Sequence, residues 1–365
     1  MKLRDQKNKL KRSTVLIGPL PPPVGGARMS FELFHDYFQG NSDADWTFHD
    51  LPRVAVDENG NLSRVNHWAT FIGIIRLITK MRRAQNIIIF ASAGFGFSYA
   101  LLVSIFAKLL GSTVSIRLFG GHPALRLQSV SGSVRRAIWT AARLVDRIIV
   151  ETGVGKTEFP AQIRQRVAVI TGYRRREEPT GSVPPTGFRF IYCGRVAKQK
   201  GMESLLGAWS IVREDLSDMP HSPELHVVGP IEEQLQSSLQ DVDGVVVYGA
   251  LAHNVLLDLL AVSDAFVFPS VYANEGHPGS VIEAFMCGLP VIASDLPGPS
   301  EIVHDGRNGL LFRAGDTCAL AQCMVDLARD NQRRLRLAEN AKQSFDEFDH
   351  LIVIPKLLDA MEVDR

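Results

Sequence analysis

Arg195 and Lys200 stand five positions apart in "YCGRVAKQKG", just past an apolar run that reads as a strand. Two cations so placed suit a diphosphate, whose charge grows as it leaves. Further on, "PSVYANEGHPGSVIEAFMCGLPVIASD" carries Glu275 and Glu283, eight apart, on either side of a glycine-rich turn. That turn opens a helix near Gly279–Ser280, whose first N–H groups have no intrahelical partner and suit phosphate oxygens. Glu283 falls about one turn into the helix, where a carboxylate accepts from ribose hydroxyls as acidic residues do in dinucleotide folds. The alternative, a capped helix with incidental glutamates, leaves Arg195, Lys200 and the glycines without a reason.

A weaker signal precedes these. In "GPLPPPVGGA", Gly25 and Gly26 have no Cβ, so their backbone can approach a diphosphate, and a helix from about Ala27 would aim its dipole there. "ETGVGKT" fails as a phosphate-cradling loop because Val150 stands where the motif needs its first glycine. It predicts a strand-to-helix turn. The triplets Asp43–Asp45 and Asp241–Asp243 have the spacing to hold a divalent metal, yet both lie in polar, turn-like sequence and are read as structural. No metal site is expected. Four scattered cysteines without a CxxC pair point neither to zinc nor to a disulfide framework, and fit a reduced, cytosolic setting.

The elements that must hold these residues alternate. "TVLIG", "NIIIFA", "TVSIRLF", "DRIIVET" and "VAVITG" are strand-like runs separated by helical stretches, and "EEPTGSVPPTG" follows as a linker. A second series begins at "FRFIYCGR" and continues through "ELHVVGP", "GVVVYGAL", "DAFVFPS" and "LPVIASD". Two parallel, doubly wound sheets are expected, with ligands beyond the carboxyl ends of the strands. The 365-residue chain is 45% hydrophobic and 22% charged, an ordinary globular composition that excludes collagen, disulfide scaffolds and disordered chains. The expected domains are 1–177, a linker at 178–187, and 188–345, with a C-terminal helix over 346–365. Net charge is +1, but residues through Thr186 balance at +13 and the remainder at −12, so the first domain faces something anionic.

The N-terminal sequence has too short an apolar run, and too many prolines, for a secretory signal. The uncharged stretch from Ala84 to Ala107 is broken by "SAGFG" and reads as a buried strand–turn–helix, not a membrane span. By contrast, "FIGIIRLITKMRR" sets Phe71, Ile74, Ile75, Ile78 and Met81 at near-helical spacing beside Arg76, Lys80, Arg82 and Arg83. Such a helix either packs its apolar face on the sheet or lies on an anionic membrane, and the charge of the first domain with the cluster Arg174, Arg175 and Arg176 favours the membrane. Basic residues without aromatic interleaving do not indicate nucleic acid.

The second half resembles the retaining GT-B glycosyltransferases of the family 4 type (glycosyl transferases group 1). The likeness rests on "GRVAKQKGMESLLGAW", "HVVGP", "VYGAL", "DAFVFPS", "EGHPGSVIEAFMCGLPVIASD" and "EIVHDGRNGLLF", in that order and spacing, over Phe188 to about Phe312. It implies the GT-B form of the α/β class, two Rossmann-like domains facing across a cleft. It also implies a nucleotide-sugar donor as substrate and no metal or other cofactor. Arg195 and Lys200 would then meet the diphosphate, Glu275 the donor sugar's hydroxyls and Glu283 the ribose. Many members carry a histidine at the donor sugar after the strand matching "SIRLF"; here His122, in "FGGHP", is slightly displaced. "DLPGPSE" replaces the usual double-glycine form. The final helix, "DEFDHLIVIPKLLDAM", would cross back to the first domain. The expected activity is retaining sugar transfer to a hydroxyl of a glycan or lipid-linked acceptor, by a cytoplasmic protein peripheral to the membrane. A GT-B sugar-nucleotide epimerase, or a non-catalytic sugar- or nucleic-acid-binding protein, remains open because fold alone does not fix function.

Overall fold

The computed structural model describes residues 13–20, 25–40, 45–50, 76–92, 95–122, 127, 130–180 and 187–361. Asp43, Phe71, Ile74, Ile75 and residues 181–186 of the expected linker lie outside them. The chain divides into two compact units, Met1–Ile170 with Ile354–Arg365, and Thr171–Val353.

The first unit is built on a parallel sheet ordered β2-β1-β3-β4-β5-β6. Its strands are β1 (Thr14–Gly18), β2 (Trp46–Asp50), β3 (Asn86–Ser92), β4 (Thr113–Phe119), β5 (Arg147–Val150) and β6 (Val167–Val169). All five residues of β1 are buried, as expected of a strand covered on both faces. Helix α1 (Gly26–Gln39) sets Phe31, Phe34 and Phe38 on one side, and Phe31 and Phe34 meet Phe90 at centroid distances of 5.0 and 4.8 Å. The connections from β2 to β3, β3 to β4 and β4 to β5 all step the same way across the sheet, opposite to that from β1 to β2. Right-handed crossovers therefore put their helices together on the other face. These helices are α2, described over 76–81, α3 (Phe95–Leu109) and α4 (Gly132–Ala142).

The broken reading of the uncharged stretch holds: β3 leads into α3, and Gly111 follows in a left-handed conformation. Among the described residues, no helix is long and apolar enough to cross a membrane. The sequence "ETGVGKT" forms the turn expected of it, with the Thr152 hydroxyl accepting from Gly155 N–H at 3.0 Å to cap a short helix.

The second unit has the sheet order β12-β11-β10-β7-β8-β9, again parallel. Its strands are β7 (Arg189–Cys193), β8 (Glu224–Val228), β9 (Val245–Gly249), β10 (Ala265–Phe268), β11 (Val291–Ser294) and β12 (Gly309–Phe312). Counted from β7, this is the 3-2-1-4-5-6 order of dinucleotide-binding sheets, and the order reverses between β7 and β10. Helix α5 (Met202–Asp215) buries Met202, Leu205, Ala208, Trp209 and Val212, one apolar stripe at helical spacing.

Two expectations are corrected. In α2, Met81 of the expected apolar stripe belongs to the core of the first unit together with Leu77, 2% and 4% exposed, whereas Ile78 is 36% exposed. In the arginine run, Arg174 is buried against Glu283, and Arg176 pairs with Asp346 and with Asp349 (3.3 Å). Partnered carboxylates hold these two within the second unit. The same contacts bind the segment after Ile170 to the second unit, ahead of the expected linker.

Candidate functional site

The second unit collects most of the singled-out residues at its switch point. After β7 the chain makes a tight turn over Lys198–Lys200 and enters α5 through Gly201. Gly201 has φ 77°, and a Cβ there would sit 1.8 Å from the Pro269 carbonyl oxygen, so only glycine fits. This close approach brings Lys200 to the segment leaving β10. Its ammonium pairs with Glu275 Oε1, and it lies 5.4 Å from the centroid of the Tyr272 ring. Ser270 Oγ donates to the same Glu275 oxygen at 2.6 Å. Lys200 and Glu275, predicted separately, thus form one held pair just beyond the carboxyl ends of β7 and β10.

Helix α6 (Gly279–Met286) follows. Pro278 occupies its N-cap without a side-chain hydrogen bond, so no side chain of the cap satisfies the first-turn N–H groups of Gly279 and Ser280. Glu283 lies on the buried side of α6, and Arg174 Nε donates to its Oε1 at 2.8 Å. A Cβ on Gly279 would come within 1.4 Å of Arg174 Nη2, so a larger residue there would have to displace the guanidinium that holds Glu283. Burial, with Glu283 nearby, pushes the thiols of Cys193 and Cys287 up to about 12, which leaves them protonated and unsuited as nucleophiles or metal ligands.

Arg195 is placed differently. Its side chain is 54% exposed and its Nε is 4.0 Å from Glu232, while its carbonyl accepts from Tyr192 Oη at 2.7 Å. The structure joins it to Glu232, not to the Lys200–Glu275 pair.

In the first unit, His122 Nδ1 lies 2.5 Å from Glu158 Oε1. The loop before it is fixed by Gly120 N–H donating to Glu151 Oε2 (3.0 Å) and Thr152 Oγ1 donating to the Gly121 carbonyl (2.8 Å). Gly25 precedes α1 with an extended backbone and no side-chain cap, Gly26 begins the helix, and a Cβ on Gly25 would meet nothing within 4 Å. Packing does not demand Gly25.

Sequence reasoning missed three residues. Arg174 was hidden in a run of surface-like charges. Ser270 had no distinguishing neighbour. His277 stands inside the quoted glycine-rich turn; Gly172 N–H donates to its Nδ1 at 3.3 Å, Thr171 Oγ1 lies 2.8 Å from that nitrogen, and Nε2 is 3.3 Å from Glu301. With Nδ1 accepting, the ring proton sits on Nε2, toward the carboxylate. Asp241 and Asp243 occupy the turn before β9, where Asp243 pairs with Arg213 and Asp241 takes a left-handed conformation. Among the described residues, no group of three or more His, Cys, Asp or Glu side chains could hold a metal ion.

Two six-stranded parallel sheets with flanking helices define a GT-B protein. Residues 187–330, which carry the Lys200–Glu275 pair and α6, match the model of the family described as Glycosyl transferases group 1. Among solved structures, the chain is similar to Anabaena HepE (Alr3699) in complex with UDP-glucose, with TM-score 0.70, 18% identity, and coverage of 95% of this chain and 99% of that one. Among curated proteins it is 32% identical over 132 residues to the N,N'-diacetylbacillosaminyl-diphospho-undecaprenol alpha-1,3-N-acetylgalactosaminyltransferase of Campylobacter jejuni, covering 36% of this chain and 35% of that enzyme. It is 23% identical over 320 residues to the alpha-D-kanosaminyltransferase of Streptomyces kanamyceticus, covering 79% of this chain and 80% of that enzyme. The chain spans less than half the length of the first curated relatives it matches.

Proposed function

We propose that this protein is a retaining glycosyltransferase that moves a sugar from a nucleotide-sugar donor to a hydroxyl of a glycan or lipid-linked acceptor. The observation that carries the reading is the Lys200–Glu275 pair at the switch point of the second sheet, followed by an uncapped helix N-terminus. A diphosphate there would meet the Lys200 ammonium and the N–H groups of Gly279 and Ser280. Glu275, steadied by Lys200 and Ser270, would accept from hydroxyls of the donor sugar. Glu283 would do the same for the ribose, with Arg174 fixing its carboxylate. Arg195 is the second cation for the diphosphate, which requires its exposed guanidinium to leave Glu232 when the donor binds. His122, steadied by Glu158, is the first unit's candidate for a sugar hydroxyl, and Gly25–Gly26 would receive an anionic group at α1.

The reaction must stabilise an oxocarbenium-like sugar and a departing diphosphate. No side chain in the described site is set as a nucleophile, so the acceptor hydroxyl attacks on the face the diphosphate leaves, and the leaving phosphate oxygen takes its proton. The cations and helix N–H groups meet the leaving group's charge without a metal ion, and no other cofactor is required. The C. jejuni relative is named for transfer to a diphospho-undecaprenol-linked sugar. An acceptor of that class is presented at a membrane, and we read the protein as cytoplasmic and peripheral to it.

A panel of nucleotide sugars with lipid-linked and soluble glycan acceptors tests this. Acceptor-dependent release of nucleoside diphosphate is expected, and NMR of the product should show the donor's anomeric configuration. Conversion of the sugar nucleotide without transfer would point to an epimerase. Binding without either reaction would leave a sugar-binding protein.

A further inference from the structure

The helix α3 is apolar nearly all round: its fifteen residues include one charge, Lys108. A helix of that kind is normally buried, in a core or in lipid. Its inner side is indeed in the core, with Phe97, Ala100, Leu101 and Ala107 all 3% exposed or less. Its outer side is not. Leu102 is 59% exposed, Phe106 56% and Leu109 78%, and Leu110 continues the stripe at 44%. Positions 102, 106 and 109 recur at helical spacing, so they form one ridge rather than scattered exceptions.

The flanking helices are cationic. On the same face of the sheet, α2 and the turn after it expose Arg76, Arg82 and Arg83, and α4 with the residues after it exposes Arg135, Arg136 and Arg143. Lys108 is paired with Asp146 at 2.9 Å. No Asp or Glu occurs anywhere between Glu58 and Asp146, while the same stretch holds eleven Lys and Arg. Ordinary surface helices mix both signs. A layer with an apolar ridge at its centre, arginines on either side and no carboxylate among its helices complements a surface that is anionic outside and apolar just beneath.

We propose that the outer face of α2, α3 and α4 is a docking surface for an anionic lipid bilayer. Leu102, Phe106 and Leu109 enter the boundary between headgroups and acyl chains, and the arginines engage lipid phosphates. The proposal deepens the membrane-side reading above and centres it on α3, whereas Leu77 and Met81 of α2 are taken up by the core. It does not depend on the transfer reaction.

The test is co-sedimentation of the full chain, without donor or acceptor, with phosphatidylcholine vesicles and with vesicles that also contain phosphatidylglycerol. Binding is expected only to the anionic vesicles and should weaken as salt is raised. Phe106→Ser with Leu109→Ser should lower the partition coefficient at least about tenfold, by removing half-exposed apolar side chains from lipid contact. Arg135→Glu with Arg136→Glu should lower it at least about 25-fold, at roughly fivefold per cation lost. Leu351→Ser, which removes another exposed leucine (65%) from the second unit, should leave binding unchanged. Thermal melts of each variant establish that the fold is kept. Equal binding to neutral and anionic vesicles, no binding, or full binding by both double variants would overturn the proposal. So would a dimer in sedimentation equilibrium that Phe106→Ser dissolves in a chain that ignores vesicles, since a second copy would then cover the ridge. Vesicle binding by a chain that transfers no sugar would sink the transfer reading and leave this one standing.

Discussion

Arg174 and Glu283, 109 positions apart in sequence, form an enclosed ion pair: Nε to Oε1 is 2.8 Å, and the two side chains are 7% and 6% exposed. The guanidinium also donates from Nη1 to the Tyr173 carbonyl at 2.9 Å and lies against Gly279 at the start of α6. The backbone of Arg174 is tied too, its N–H donating to the Phe348 carbonyl and its carbonyl accepting from His350 N–H. One residue thus fixes the first turn of α6, the Glu283 carboxylate and the segment before the last helix.

Removing one partner of an enclosed pair strands the other charge, at about 3–5 kcal/mol. Arg174→Ala should therefore lower the denaturant midpoint of the second unit clearly, and Glu283→Gln should do so less because an amide oxygen still accepts. In a double-mutant cycle, combining the two should cost less than the sum of the single losses. Additive losses would show that the pair is not coupled.

Glu283→Gln and Lys200→Ala should each reduce sugar transfer by roughly 10²–10³, the usual cost of losing one preorganised charge partner at a transition state. Ser270→Ala is expected to be milder, about tenfold, since it removes one hydrogen bond to a carboxylate that Lys200 still holds. The fall should appear in kcat at a temperature where thermal melts show each variant still folded, since Glu283→Gln also loses part of its pairing with Arg174. Near-native turnover by both Glu283→Gln and Lys200→Ala, with any accepted donor, would remove the donor site from α6.

Five of the six strands of each sheet were legible in the sequence because β-branched runs such as "NIIIFA" and "GVVVYGAL" alternate with helix-length segments, whereas the edge strands β2 ("WTFHD") and β12 ("GLLF") carry no such run. The placement of Lys200, Glu275, Gly279 and Glu283 was legible because each sits a few residues past a strand or in the first turns of a helix, where the local motif fixes its position in the fold. Arg174 was not. Its pairing with Glu283 depends on two segments distant in the chain meeting, and neither hydropathy nor spacing carries that. The exposure of α3 was equally hidden: its pattern is that of a buried helix, and only the packing of one side tells the ridge from the core. In α2, Ile78 and Met81 stand three positions apart, yet one is exposed and the other in the core, and periodicity alone does not say what covers either.

Transfer should survive chelation. In the proposed site the leaving diphosphate would meet Lys200, the α6 N–H groups and a released Arg195, and Asp243 is already engaged by Arg213 in the turn before β9. Turnover with excess EDTA should match turnover with Mg²⁺. Complete loss, restored by Mg²⁺ or Mn²⁺, would make the reaction metal-dependent.

The cysteines give a prediction about alkaline stability. Burial raises Cys193 and Cys287 from 9.0 to about 12, whereas Cys318 is exposed. In the unfolded chain these thiols ionise near 9, so between pH 9 and 12 the folded state binds more protons than the unfolded one. The stability slope is then negative, about 1.4 kcal/mol per pH unit for each thiol, and the contribution is intact below pH 9. Cys193→Ala should flatten the loss of stability above pH 9 relative to the parent chain, even if the cavity it leaves lowers stability at neutral pH. A thiol reagent at neutral pH should modify Cys318 first, and reach Cys193 and Cys287 only when denaturant opens the second unit. Rapid modification of Cys193 in the folded protein, or an unchanged alkaline slope in Cys193→Ala, would show that the thiol ionises in the native state.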